Sequence, residues 1–251
     1  MNEELRDKTA LITGASIGIG AAAAVALARL GVNILIHYNS HLSDAEAVLR
    51  EVEGAGVRGQ LFQADLGTRD GVHHLIGAIR DLRIDILINN AGSLVERRPN
   101  LEMTEELWDR VLMLNLTSAY FVTQAVLPQM VERKSGVVVN VSSVAARHGG
   151  GKGATAYSTA KGGLSVMTKG LAKEFAANGI RINAVSPGTI DTNFHRTFSN
   201  EQMLDGVRAA TPMGRLGTSE ETADVIVFLC TEQARFIQGQ VIEVNGGFLM
   251  V

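Results

Sequence analysis

Four prolines and one cysteine in 251 residues set the first limits on this chain. With Cys230 alone, no intrachain disulfide can form and no thiolate cluster is available for zinc. The residue closes an apolar run, 225–230, and reads as a small buried hydrophobe. A basic excess is also missing: 23 Lys and Arg stand against 26 Asp and Glu, a net charge of −3. Nucleic acid usually demands a basic stripe, so that partner is not expected. No run approaches the roughly 18 apolar residues that span a bilayer, and no membrane partner is expected either. Residues 1–8 are charged, not apolar, and no secretory signal is visible. The expectation is a soluble, cytoplasmic protein. No Pro-rich linker, repeat or compositional break divides the chain, and 46% hydrophobic against 20% charged residues is a globular balance. One domain over 1–251 is expected.

What the chain does have is alternation. Short β-branched runs at 9–13, 32–37, 59–63, 84–89, 137–141, 180–185 and 241–244 are separated by helical patterns at 18–30, 43–53, 69–82, 105–133, 156–177 and 219–229. Several of the runs are apolar on both faces, as strands covered on both sides are. Regular β/α alternation predicts a parallel sheet with right-handed crossovers. Three prolines fall in loops, whereas Pro128 falls inside a helical pattern and predicts a kink or an end there.

The first strand runs into Thr13-Gly14-Ala15-Ser16-Ile17-Gly18-Ile19-Gly20, which opens an alanine-rich helix. Glycine lets a backbone turn sharply and approach a pyrophosphate, and a helix N-terminus supplies free N–H donors and a favourable dipole. The G-x-x-x-G-x-G spacing departs from the commoner G-x-G-x-x-G fingerprint, so a tight turn without a ligand is the competing reading. A phosphate-loop NTPase is excluded here and at 149–153, since the required upstream glycine and the Ser/Thr after Lys are missing.

Tyr157 and Lys161 are four residues apart in a helical pattern, which puts a phenol and an amine on one face. An ammonium near a phenol stabilises its anion, so the pair is a proton-transfer device in outline. Ser143 lies fourteen residues upstream, and Asn89-Asn90-Ala91-Gly92 ends the fourth strand run. Open α/β sheets bind ligands beyond the carboxyl ends of their strands, where these groups should converge with the glycine turn. Singly, Ser143 also reads as a helix cap and Asn115 as a helix residue bonded to a neighbouring carbonyl.

Taken together, T-G-x-x-x-G-x-G, N-N-A-G, Asn115, Ser143, Y-x-x-x-K, Pro187-Gly188 with Thr192, and Asn245-Gly246-Gly247 resemble the short-chain dehydrogenase/reductase family over 9–247. The resemblance implies an α/β Rossmann fold in a single domain, a doubly wound seven-stranded parallel sheet with helices on both faces. It implies an oxidoreductase that moves hydride between a nicotinamide and a ketone or secondary alcohol. Tyr157 would be the general acid or base and Ser143 would hydrogen-bond the substrate oxygen. Lys161 would bind the nicotinamide ribose and lower the Tyr157 pKa, and Asn115 would anchor a water in a proton relay. The implied cofactor contacts are Gly14, Ser16, Ile17, Gly18, Ile19, Tyr38, Asn39, Ser40, Asp65, Leu66, Asn90, Ala91, Gly92, Tyr157, Lys161, Pro187, Gly188, Ile190 and Thr192. For Asp65, capping of the helix that starts near Thr68 is the competing reading. The implied assembly is a homotetramer, or a dimer, through the helical stretches 105–133 and 156–177.

NAD-selective relatives carry an Asp at the position of Tyr38, and NADP-selective relatives carry a basic residue at the position of Ile17. Neither is present, and Asn39, Ser40 and His41 are left to donate to a 2′-phosphate, so NADP(H) is favoured over NAD(H). Substrate loops at 93–100, 144–156 and 189–216 carry Arg97, Arg98, Arg147, His148, Lys152, His195 and Arg196. Such charge suits an anionic or polyhydroxylated ketone, with Arg97, Arg147, His148 and His195 as its contacts. These loops resemble reductases of keto-uronates from alginate breakdown. A 3-oxoacyl thioester on acyl carrier protein is the rival, with Lys134 and Lys173 for the acidic carrier. A nucleotide-binding regulatory member without catalysis is the rival of another class. The intact Ser143, Tyr157 and Lys161 argue against it. One departure is the fourteen-residue step from Ser143 to Tyr157, against thirteen in many ketoacyl reductases, which Gly149–Gly151 can absorb.

Overall fold

The computed structural model describes residues 3–251, apart from the side chains of Asn193, His195 and Arg196. Strands β1 (Thr9–Ile12), β2 (Asn33–Tyr38), β3 (Gly59–Gln63), β4 (Ile86–Asn89), β5 (Gly136–Val141), β6 (Ile180–Pro187) and β7 (Val241–Val244) form one sheet in the order β3-β2-β1-β4-β5-β6-β7. All pairs are parallel, with Leu11 of β1 in register with Leu35 of β2 and Leu87 of β4. The expected strands therefore form, with ends shifted by two residues or fewer.

The helices are α1 (Gly18–Ala28), α2 (Leu42–Gly54), α3 (Arg69–Ile79), α4 (Glu105–Leu112), α5 (Ser118–Arg133), α6 (Ala145–His148), α7 (Thr155–Phe175), α8 (Asn193–Phe198), α9 (Glu201–Ala210) and α10 (Ser219–Cys230). Strand periodicity divides the core into two layers. Ile12, Ile34, Ile36, Ile86, Ile88 and Val139 pack with Ala23 and Leu27 of α1, Val48 of α2 and Ile226 of α10. Their neighbours Leu11, Leu35, Leu87 and Val138 pack with Leu75 of α3, Val126 of α5 and Ala172 of α7. The sheet is thus covered on both faces, as a doubly wound fold requires. Side chains set several helix starts: Thr68, Thr104 and Asn200 accept from the third N–H of α3, α4 and α9, and Thr218 and Glu221 form a capping box on α10.

Three expectations change. The helix expected at 105–133 is α4 and α5 joined through a π-helical turn, Met113–Thr117. Pro128 does not end it: α5 runs on to Arg133, because Pro128 and Gln124, whose carbonyl loses its partner, are both exposed to water. The loops expected at 144–156 and 189–216 contain α6, α8 and α9. The stretch Glu105–Arg133 is long and apolar enough to cross a membrane, with a mean hydropathy of 1.3, and 44% of that window is buried inside the protein. Buried core helices pass the same test.

Candidate active site

Beyond the carboxyl ends of β1, β4, β5 and β6 lies a cavity of about 950 Å³. It opens beside β1 and β4, where the strand order reverses, the usual place for a ligand in such sheets.

The glycine turn forms its floor. Thr13 Oγ1 accepts the N–H groups of Asn90 and Ala91 at 3.0 Å each. Asn90 Nδ2 donates back to the carbonyls of Thr13 and Gly14 at 3.0 and 2.8 Å. This rivet brings β4 so close that a Cβ on Gly14, at φ +63°, would stand 2.9 Å from Ala91 Cα. Helix α1 then starts with Ile17 at its cap, no side-chain cap bond and no acid in its first turn. Its free N–H donors meet the cavity at Gly18 and Ile19, among the lining residues. An uncapped helix N-terminus beside a crowded left-handed glycine fits a dinucleotide pyrophosphate.

One end of the cavity is lined by His37, Asn39, Ser40, His41, Asp65, Leu66 and Arg110. Tyr38 does not join them. Strand alternation turns its ring into the core with Ile34 and Ile36 and sends His37 to the cavity instead. Asp65 does not cap α3, a role taken by Thr68. Burial works against its charge, yet the Gly67 N–H at 2.9 Å and Arg110 at 2.9 Å hold its carboxyl below the usual carboxylate range. His37 and Arg110 were not foreseen. Period-two alternation through β2 could have flagged His37, whereas nothing local in α4 points to Arg110.

At the other end Ser143, Tyr157 and Lys161 line the cavity together. Helix α7 carries Tyr157 and Lys161, and Ser143 follows β5. Between them, after α6, Gly149, Gly150 and Gly153 adopt positive φ of 84°, 75° and 75°. Tyr157 is half-buried where it lines the cavity. Burial pushes the phenol up to about 12, against a hydrogen bond with Ser143 that lowers it. Lys161 is buried, which pulls its ammonium down to about 8, and Nζ donates to the Val141 carbonyl at 2.7 Å. The expected lowering of Tyr157 by Lys161 is not what is found: burial raises the phenol, and Ser143 is the group that opposes it.

Asn115 is buried in the π-helical turn and off the cavity wall. Its Nδ2 donates to the carbonyls of Ser93 and Val111 at 2.8 Å each, and its Oδ1 accepts the Ser93 N–H at 3.1 Å. Gly92 lies against it: a Cβ there would be 2.7 Å from Asn115 Oδ1 and 2.9 Å from Lys161 Nζ. The remaining expected contacts, Ser16, Pro187, Gly188, Ile190 and Thr192, also line the cavity.

The rim carries less charge than its sequence promised. Arg97 and His148 line the cavity. Arg147 instead pairs with Glu243 at 3.1 Å, because α6 turns its side chain toward β7, and Arg98 pairs with Glu96. The side chains of His195 and Arg196 lie outside the described residues. Arg97 donates from Nε to the Phe198 carbonyl at 2.7 Å and from Nη1 to the Lys152 carbonyl at 3.0 Å. Its Nη2 has no partner among the described residues. Above Tyr157 the roof is apolar: Phe194 packs on its ring at 5.7 Å and on Phe198 at 5.1 Å. Met203, Leu204 and Val207 of α9 and Phe248 complete it.

A family model described as Enoyl-(Acyl carrier protein) reductase matches residues 14–249. A 3-oxoacyl-[acyl-carrier-protein] reductase of Synechocystis is 39% identical over 249 residues, 98% of each chain. The chain belongs to the short-chain dehydrogenase/reductase family. It is accordingly an NAD(P)-linked oxidoreductase of CH–OH and ketone groups. Among solved structures, a mutant of DEH reductase A1-R′ superimposes with a TM-score of 0.91 at 34% identity, covering 100% of both chains. A putative 2-deoxy-D-gluconate 3-dehydrogenase of Agrobacterium tumefaciens with bound NADP gives 0.89 at 32% identity over 98% of both. These relatives share the family and differ in substrate.

Proposed function

We propose that this short-chain dehydrogenase/reductase reduces the ketone of a sugar or sugar acid with NADP(H). The observation that carries the substrate class is the Arg97 guanidinium on the cavity wall, with two of its nitrogens fixed on backbone carbonyls and Nη2 left over. A guanidinium held by its other nitrogens presents a preset donor to a carboxylate or hydroxyl. The name of one structural neighbour, a putative 2-deoxy-D-gluconate 3-dehydrogenase, supports the same class.

When bound, the reduced nicotinamide supplies the hydride to the carbonyl carbon. Tyr157 gives its proton to the carbonyl oxygen as negative charge grows there, and Ser143 donates a hydrogen bond to the same oxygen. Lys161 would hold the ribose, and its ammonium stands near the phenol, where it stabilises the phenolate as the proton leaves. Asn115 holds the Gly92–Ser93 turn against Lys161, and the second lone pair of Oδ1 is what it has left for the water of a proton relay. Glycine-turn N–H groups take the pyrophosphate. NADP(H) is favoured over NAD(H) because Asn39, Ser40 and His41 stand after β2 with no carboxylate among them.

The rival, a 3-oxoacyl thioester on acyl carrier protein, draws on the sequence relatives. Lys134 and Lys173, the bases meant for that carrier, stand just before β5 and in the last turn of α7. That is the start of the strands, about 20 Å from the cavity by the length of β5. We also propose a homotetramer built on the faces of α5 and α7, where Tyr120 and Val166 are exposed. Measuring kcat/KM with NADPH and NADH on keto-sugar acids and on acetoacetyl thioesters tests the substrate and cofactor. Preference for the thioester, or for NADH, contradicts the respective part.

A further inference from the structure

The imidazole of His37 is 2% exposed, yet it forms part of the cavity wall at the end of β2. Its Nδ1 lies 3.0 Å from the Gly14 nitrogen, and its Nε2 lies 3.0 Å from the Ala64 carbonyl oxygen. A backbone N–H can only donate and a carbonyl can only accept. Nδ1 is therefore bare and Nε2 carries the proton. The carbonyl of the same residue accepts the Ala15 N–H at 2.9 Å. His37 thus ties the glycine turn after β1 to the end of β2 and to the segment that follows β3.

That segment continues into Asp65 and Leu66, which line the same end of the cavity. The separation between the glycine turn and Asp65 is set across the His37 ring. A protonated ring would lose its acceptor for Gly14. Burial holds His37 neutral, down to about 4, against the Ala64 carbonyl and the Asp65 carboxylate that favour the charge. Asp65 is itself engaged by Arg110, which lessens its pull.

We infer that His37 is a positioning residue for the dinucleotide, and that its neutral Nε2–H tautomer fixes the glycine turn relative to the Ala64–Leu66 wall. The inference rests on the reading of this cavity as the dinucleotide site. His37 touches neither Tyr157 nor the rim, so its effect falls on cofactor affinity and spares the ketone. A residue that only supported the fold would lower stability without this selectivity.

His37→Leu removes both hydrogen bonds at similar volume, and His37→Gln keeps one acceptor and one donor at nearly the same separation. Calorimetric titration gives the affinities of wild type and both variants for NADPH and for adenosine 2′,5′-bisphosphate. His37→Leu should bind both about tenfold more weakly, because binding must then also fix the glycine turn that His37 holds in place. His37→Gln should bind more tightly than His37→Leu, and KM for the ketone at saturating NADPH should stay within about twofold of wild type. Should His37→Leu not fold, His37→Val takes its place. NADPH binding by the apolar variant equal to wild type overturns the inference alone. A wild type that binds neither NADPH nor NADH overturns the reading of the cavity as well.

Discussion

Lys161 Nζ lies 5.7 Å from the centre of the Tyr157 ring, one helical turn away on α7. Burial moves both groups in the direction that keeps them uncharged, Tyr157 up to about 12 and Lys161 down to about 8. Near neutral pH the phenol keeps its proton and the amine is mostly charged. The pair is therefore set to give a proton, which suits ketone reduction.

The alkaline limb of the reaction should belong to Lys161. Its charge is present below about 8 and is lost as pH rises through that value. The kcat/KM for ketone reduction should be level near neutrality and fall above about 8, and Lys161→Met should be slow and lack that limb. A wild-type profile level to pH 10 contradicts the assignment.

Gly92→Ala tests how tightly the site is built. The added methyl would stand 2.7 Å from Asn115 Oδ1 and 2.9 Å from Lys161 Nζ, so both must give way. Displacing Lys161 by a few tenths of an ångström should lower kcat about tenfold or more, with the fold retained by circular dichroism. Full activity in this variant would mean that Lys161 is not held where it stands.

Arg97→Ala separates substrate binding from support of the roof. If Nη2 meets a carboxylate, kcat/KM on a keto-sugar acid should fall about 10- to 100-fold while an uncharged ketone changes little. Arg97→Lys should not restore it, because one compact ammonium lacks the planar fork that reaches the Phe198 and Lys152 carbonyls from two nitrogens and presents a third. Equal losses on both substrates would leave Arg97 as a tie between Phe198 and Lys152 only.

His37 also predicts an acid sensitivity of stability. An unfolded histidine takes a proton near 6.5, whereas the folded one resists until about 4, so the unfolded state binds more protons between these values. The stability involved is present above about 6.5 and lost as pH falls toward 4, amounting to roughly 3 kcal/mol. Denaturant titrations at neutral pH and near pH 4.5 should show this loss in wild type and a smaller one in His37→Gln. Equal losses in both proteins contradict it.

The sheet was legible because each strand is a short β-branched run, and its two-sided burial followed from the alternation of Ile34, Ile36 and Leu35. The motifs at the strand ends were legible for the same reason, since a parallel sheet gathers its carboxyl ends. The side-chain directions were harder. Tyr38 and His37 exchange places by one step of strand parity at the end of β2. The π-helical turn that buries Asn115 leaves no mark on the apolar pattern of 105–133. Arg147 finds Glu243 across 96 residues, a pairing that exists only once β7 lies beside β6. Charge counted along loops therefore overstated the charge in the cavity.

The central claim is that Tyr157 hands its proton to a ketone oxygen, and single-turnover and steady-state NADPH oxidation by Tyr157→Phe test it most directly. The substitution removes one hydroxyl from a ring that Phe194 already packs against, so the fold and NADPH affinity should be kept. Turnover of the ketone should fall about 10²- to 10⁴-fold, the usual contribution of a general acid. A Tyr157→Phe protein that oxidises NADPH at a rate close to wild type contradicts the account.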